Sequence, residues 1–116
     1  MKAILITVAA VLVSGTAALA AELATGEQIR AAVSGNTVQG SMVASGVYTE
    51  FYAADGTIRG KDYTGTWTID GDSMCFAYGE APACWAVRIA GDQVTWVKDG
   101  KDDGTGTIVA GNPNNF

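Results

Sequence analysis

Histidine is absent from all 116 residues of this chain. That removes the side chain used most often as general base, proton shuttle or metal ligand near neutral pH. Cysteine is nearly as scarce, with Cys75 and Cys84 alone, spaced too widely for a redox or zinc pair. Ser34, Ser41, Ser45 and Ser73 have no basic partner in a recognisable motif, and no glycine-rich phosphate loop precedes a helix. These absences point away from an enzyme: no catalytic, cofactor-binding or metal-ligating residue is expected, and no cofactor. Basic charge is thin as well, 7 Lys and Arg against 12 Asp and Glu, for a net charge of −5. Nucleic acid and anionic membrane surfaces are therefore not expected partners. The acidic stretch Asp99-Gly100-Lys101-Asp102-Asp103-Gly104 invites a calcium reading. However, Lys101 and Ala110 stand where an EF-hand places its second and last oxygen ligands. It reads as a solvated acidic turn.

Long apolar runs are missing after the first twenty residues. Within Met1 to Ala20, Lys2 gives a positive start, Ala3 to Val13 an apolar run, and Ala18-Leu19-Ala20 a small-x-small cleavage pattern. This is the pattern of a signal peptide, and the run is short for a bilayer span. Residues 21–116 are then expected to form a single exported domain, extracytoplasmic (periplasmic or secreted), free of the membrane after cleavage and monomeric. A domain of this size has a thin core, which a disulfide in an oxidising compartment can reinforce.

The chain is organised around Gly65 to Trp85, which holds both cysteines, two of the three tryptophans and two turn signals. Gly79-Glu80 as a type II′ turn would pair Tyr78 with Ala81, Phe76 with Ala83, Cys75 with Cys84 and Met74 with Trp85. Cys75 and Cys84 then fall at a non-hydrogen-bonded position, about 4.5 Å apart at Cα, within disulfide reach. Pro82 would turn its missing N–H away from its partner. A disulfide between Cys75 and Cys84 is the expectation. Two further turns, Gly71-Asp72 and Gly91-Asp92, set Ile69 against Met74, Trp67 against Phe76, Ile89 against Val94 and Val87 against Trp96. Together with Trp85, these residues share one buried face, as a half-buried antiparallel sheet requires.

The one helical signal lies upstream. Thr25-Gly26-Glu27-Gln28 matches a capping box, Ile29, Ala32 and Val33 share a face, and Gly35-Asn36 ends the helix. Val38, Val47 to Tyr52, Ile58 and Tyr63 mark two or three strands, with Asp55-Gly56 as a hairpin turn. Gly40 to Gly46 reads as a loop, Asp99 to Gly104 as a polar loop before a last strand near Thr105 to Val109, and Gly111 to Phe116 as a loose tail. The fold class is mainly β: a seven- or eight-stranded antiparallel meander, closed as a small barrel or strongly curved, with one short N-terminal helix.

The run Gly35-Asn36-Thr37, Asp55-Gly56-Thr57, Gly65-Thr66-Trp67-x-Ile69-x-Gly71-Asp72, Cys75, Cys84-Trp85 and Gly111-Asn112 resembles a group of small exported bacterial proteins of unknown function. The likeness covers roughly residues 23–112 and implies no activity. Trp67 to Asp72 with Cys75 is also similar to a stretch of the periplasmic inhibitors of secreted metalloproteases, single-disulfide β-barrels with an exposed N-terminal segment. Here the cysteines sit across one hairpin and the N-terminal segment looks helical, so no site residue is carried over. A non-catalytic exported binding module is the leading expectation, with a protease inhibitor and a small-ligand-binding barrel as alternatives. For the module, the acidic turns at Asp55-Gly56, Gly79-Glu80 and Asp99 to Gly104, taken as lying at one end, suggest a protein partner with a basic patch.

Overall fold

The structure, a computed structural model, describes residues 22–116. The expected signal peptide lies outside them. Among the described residues no helix is long and apolar enough to cross a membrane. One helix, α1 (Gly26–Val33), is followed by eight strands: β1 (Asn36–Met42), β2 (Gly46–Tyr52), β3 (Thr57–Gly60), β4 (Tyr63–Asp70), β5 (Ser73–Ala77), β6 (Ala83–Ala90), β7 (Gln93–Lys98) and β8 (Lys101–Val109). Each strand pairs antiparallel with the next, and β8 returns to β1, closing the barrel. Closure pairs the first and last strands with each other, so neither ends the sheet, and the apolar face turns inward.

The two Gly-Asp hairpins have the expected registers, Ile69 opposite Met74 and Trp67 opposite Phe76 on β4–β5, Ile89 opposite Val94 and Val87 opposite Trp96 on β6–β7. Their inward residues join Val38, Tyr52 and Ile58 in one core. Trp85 and Ile89 are only half-buried against it, because Trp85 stands towards a barrel mouth. Thr25 Oγ1 accepts from the Gln28 amide while Gln28 Oε1 accepts from the Thr25 amide, so the capping box forms. Ile29 and Val33 are fully buried, and α1 covers the barrel end formed by the β2–β3, β4–β5 and β6–β7 turns. The Gly26 amide donates to Asp72 Oδ1 at 2.9 Å. There a Cβ on Gly26 would lie 2.2 Å from the Gly71 carbonyl oxygen, so only glycine lets the helix seat this closely. Leu23 bridges Arg88, and the Ala24 amide donates to the Val87 carbonyl at 2.7 Å. This segment continues the sheet along β6 where β5 has ended.

Several local expectations are corrected. Gly40 to Met42 belong to β1 instead of a loop. Small residues suit this place because the β8 backbone passes so close that a Cβ on Gly40 would meet the Thr105 carbonyl oxygen at 1.9 Å. The segment Thr37 to Tyr63 accordingly spans β1 to β3 and the start of β4, more than the two or three strands expected. The polar loop Asp99 to Gly104 shrinks to a turn at Asp99-Gly100, with both residues at positive φ, and β8 starts at Lys101. A bulge accommodates it: Trp96 pairs with Gly104 but Val97 with Asp102, so Asp103 is the extra residue. The tail is tied down instead of loose, since Thr37 Oγ1 donates to the Gly111 carbonyl and Asn112 Nδ2 to the Phe116 carbonyl.

Candidate functional site

Cys75 and Cys84 are bonded, with Cα atoms 4.0 Å apart in the expected register. The tight turn beyond them is not formed. The β5–β6 ladder stops at Phe76–Ala83, and Tyr78 to Pro82 make a wider loop, because Tyr78 bends across the mouth to a partner on β2 instead of facing Ala81. The acidic turns also separate. In an antiparallel meander successive turns alternate ends, so Asp55-Gly56 lies at the helix end while Gly79-Glu80 and Asp99-Gly100 lie at the other. The serines do not converge: Ser34 caps α1, Ser41 is on β1, Ser45 is at the rim and Ser73 starts β5. Asp102 pairs with Arg88 and Asp103 accepts from Trp85, so the two carboxylates turn to different partners. No group of three or more metal-ligating side chains occurs among the described residues.

The end away from α1 is open. Between the rims lies a cavity of about 540 Å³, floored by Phe76 and Trp96 and walled by Trp85, Tyr48, Tyr63 and Tyr78. The strand pattern makes this cup. β2 points Tyr48, Glu50 and Tyr52 inward, while Val47 is 89% exposed. Inward positions on facing strands are glycine. A Cβ on Gly65 would come within 2.7 Å of the Tyr78 ring, and one on Gly106 within 2.4 Å of the Tyr48 hydroxyl. β3 is short and meets β2 only at Phe51 and Tyr52, so Gly46 to Glu50 pair on the β1 side alone.

At the base of the cup is Glu50, 6% exposed. Tyr52 donates to its Oε1 at 2.9 Å and Tyr63 to its Oε2 at 2.8 Å, while the Tyr78 hydroxyl lies 2.9 and 2.8 Å from the two oxygens. Three phenol donors converge on one acceptor-only carboxylate. Tyr48, the fourth and last tyrosine, accepts from Trp96 Nε1 at 2.8 Å and donates to the Thr105 carbonyl at 3.0 Å. Trp85 Nε1 donates to Asp103 Oδ2 at 2.8 Å, the bulge having aimed that carboxylate at the mouth. Burial pushes the Tyr52 phenol well above its ordinary pKa, reinforced by the Glu50 charge. Tyr63 and Tyr78 move the same way, by burial first and then by their contact with Glu50. Burial also raises Tyr48, against the lowering bond from Trp96. The phenols are held as donors.

Sequence reasoning missed this site. The available signal was Tyr48-x-Glu50-x-Tyr52, a carboxylate flanked by tyrosines at strand spacing, but a rule that sends apolar side chains inward selects Val47 and Phe51 instead. No family model, curated protein or solved structure matches this chain.

Proposed function

We propose that this is an exported, non-catalytic binding protein whose barrel cup holds a small molecule. The observation that carries the reading is the cavity itself. The barrel is filled below by fully buried Val38, Ile58, Met74 and Val87, sealed by α1, and hollow at the opposite mouth, where aromatic walls meet a few directed polar groups. Concave, mainly apolar sites with few convergent polar atoms are where small ligands bind, and barrel mouths are a common place for them. Export agrees with the disulfide, which persists in oxidising compartments, and with the signal-peptide pattern of residues 1–20; periplasm or full secretion is the destination. The likeness to small exported bacterial β-proteins fits the same picture. The non-catalytic reading rests on the missing histidine, the paired thiols and phenols held protonated as donors to Glu50. The pinned segment Leu23 to Ala24 and docked α1 favour the module over an inhibitor with a free N-terminal arm.

The test is a small-molecule screen read by tryptophan emission and melting midpoint, since Trp85 and Trp96 line the cup. A ligand at one hundred times its Kd should stabilise by about 2.7 kcal/mol. Ala83→Trp, which fills the cup from β6, should abolish both responses. Hits that bind that variant equally well would place binding elsewhere and refute the cup as the site.

A further inference from the structure

The chemistry of the cup also bears on what it binds, on the premise that the cup is the ligand site. Glu50 is buried with three neutral donors and no cation. Among the described residues the salt bridge present is Arg88–Asp102 at 2.7 Å, on the outer wall. A buried charge without a counter-charge is costly, and phenols solvate it without cancelling it. The residues lining the cavity include three carboxylates, Glu50, Glu80 and Asp103, and neither lysine nor arginine. Its walls are aromatic rings, and aromatic faces attract cations through their quadrupole, more strongly when water is excluded. At the rim one ring already does so: Lys98 Nζ sits 4.5 Å from the Trp85 ring centre while donating to the Cys84 carbonyl.

The geometry points to a small organic cation as the ligand of this cup, an alkylated ammonium whose head group packs between the aromatic walls above Glu50. An alkylated head suits the site better than a metal ion or a primary amine. The Glu50 oxygens are already engaged, Oε1 by Tyr52 and Tyr78, Oε2 by Tyr63 and Tyr78. At the base of the cup a hard metal ion would lack the several free oxygen ligands it needs. A primary ammonium would compete with the three phenols for the Glu50 oxygens, leaving it only Glu80 and Asp103 as other carboxylates in the lining. A quaternary or tertiary ammonium needs only the negative potential and the ring faces. An anion would meet three carboxylates, and a neutral ligand would leave the Glu50 charge unanswered.

The experiment is calorimetric titration of the oxidised protein with benzyltrimethylammonium, its neutral carbon isostere neopentylbenzene, and benzoate. The cation should bind at least about ten-fold more tightly than the isostere, and benzoate more weakly than either. Glu50→Gln should remove most of that preference. Should that variant not fold, Trp85→Leu, altering a half-buried wall residue, should reduce affinity for the cation more than for the isostere. Equal binding of cation and isostere overturns the cation assignment and leaves the cup reading standing. Binding of benzoate alone does the same. Binding of none of the three also overturns it, and the cup reading is then judged by the broader screen and the Ala83→Trp variant.

Discussion

The carboxylate of Glu50 is held by more donors than any other side chain described here, and its partners come from β2, β4 and the β5–β6 loop. Each phenol therefore orders a different piece of the mouth. Tyr52 is the most deeply buried of them and also packs edge-on against Trp67 and Phe76. Tyr52→Phe keeps the ring and removes one bond to a charged acceptor, which should destabilise the fold by about 1.5–3 kcal/mol; urea denaturation measures it. Gly65 acts by having no side chain. Gly65→Ala would put a Cβ 2.7 Å from the Tyr78 ring and 2.8 Å from the Ala77 carbonyl oxygen, so Tyr78 has to withdraw from Glu50. Overpacking of this kind costs about 1–3 kcal/mol. Ligand affinity should fall further than stability alone explains, which parallel titration and melting of the variant would reveal.

At the scale of elements, the hairpin β5–β6 carries the cross-link and the ladder together. Reduction of Cys75–Cys84, or Cys75→Ala with Cys84→Ala, frees a loop of about ten residues and should lower stability by roughly 2.5–3 kcal/mol. Equal denaturation midpoints for oxidised and reduced protein would contradict that. The core contribution differs along the strands. Trp96, at 2% exposure, should cost about 3–5 kcal/mol on change to alanine, and half-buried Trp85 less, because it stands beside the cavity. Legibility in the sequence followed the same division. The Gly71-Asp72 and Gly91-Asp92 hairpins and the capping box were readable because each is a local turn or cap signal flanked by clean alternation. The cysteine register holds although the Gly79-Glu80 turn that implies it does not form, because the wider Tyr78 to Pro82 loop leaves the same residues opposite one another. β1 and the start of β8 were not, since Gly40-Ser41 and Lys101 to Gly104 resemble loops until each finds its partner strand. The cup was hidden for a related reason. Glu50 faces inward against its polarity, and nothing within β2 announces the donors that Tyr63 and Tyr78 bring from elsewhere in the chain.

Across the whole molecule, the helix-sealed end and the open end divide the work. The first holds the apolar seal of Ile29 and Val33, and the second gathers all four tyrosines around one cavity. That concentration gives the protein a readable response to alkali. In the folded state burial raises the pKa values of Tyr48, Tyr52, Tyr63 and Tyr78 above the ordinary phenol range, and the Glu50 charge adds to the rise. In the unfolded chain they titrate near 10. Above that pH the folded state holds more phenol protons than the unfolded one, so stability falls as pH rises. Below it both states are protonated and the tyrosine contribution is fully present. Phenolate absorbance should therefore show no transition near pH 10 in the native protein. It should rise instead in one cooperative step, together with loss of far-ultraviolet circular dichroism, as alkali unfolds the barrel. A gradual phenolate titration centred near pH 10 with the barrel signal intact would mean that the hydroxyls are not bound to Glu50, half-exposed as the Tyr63 and Tyr78 side chains are, and the cluster would be refuted with it.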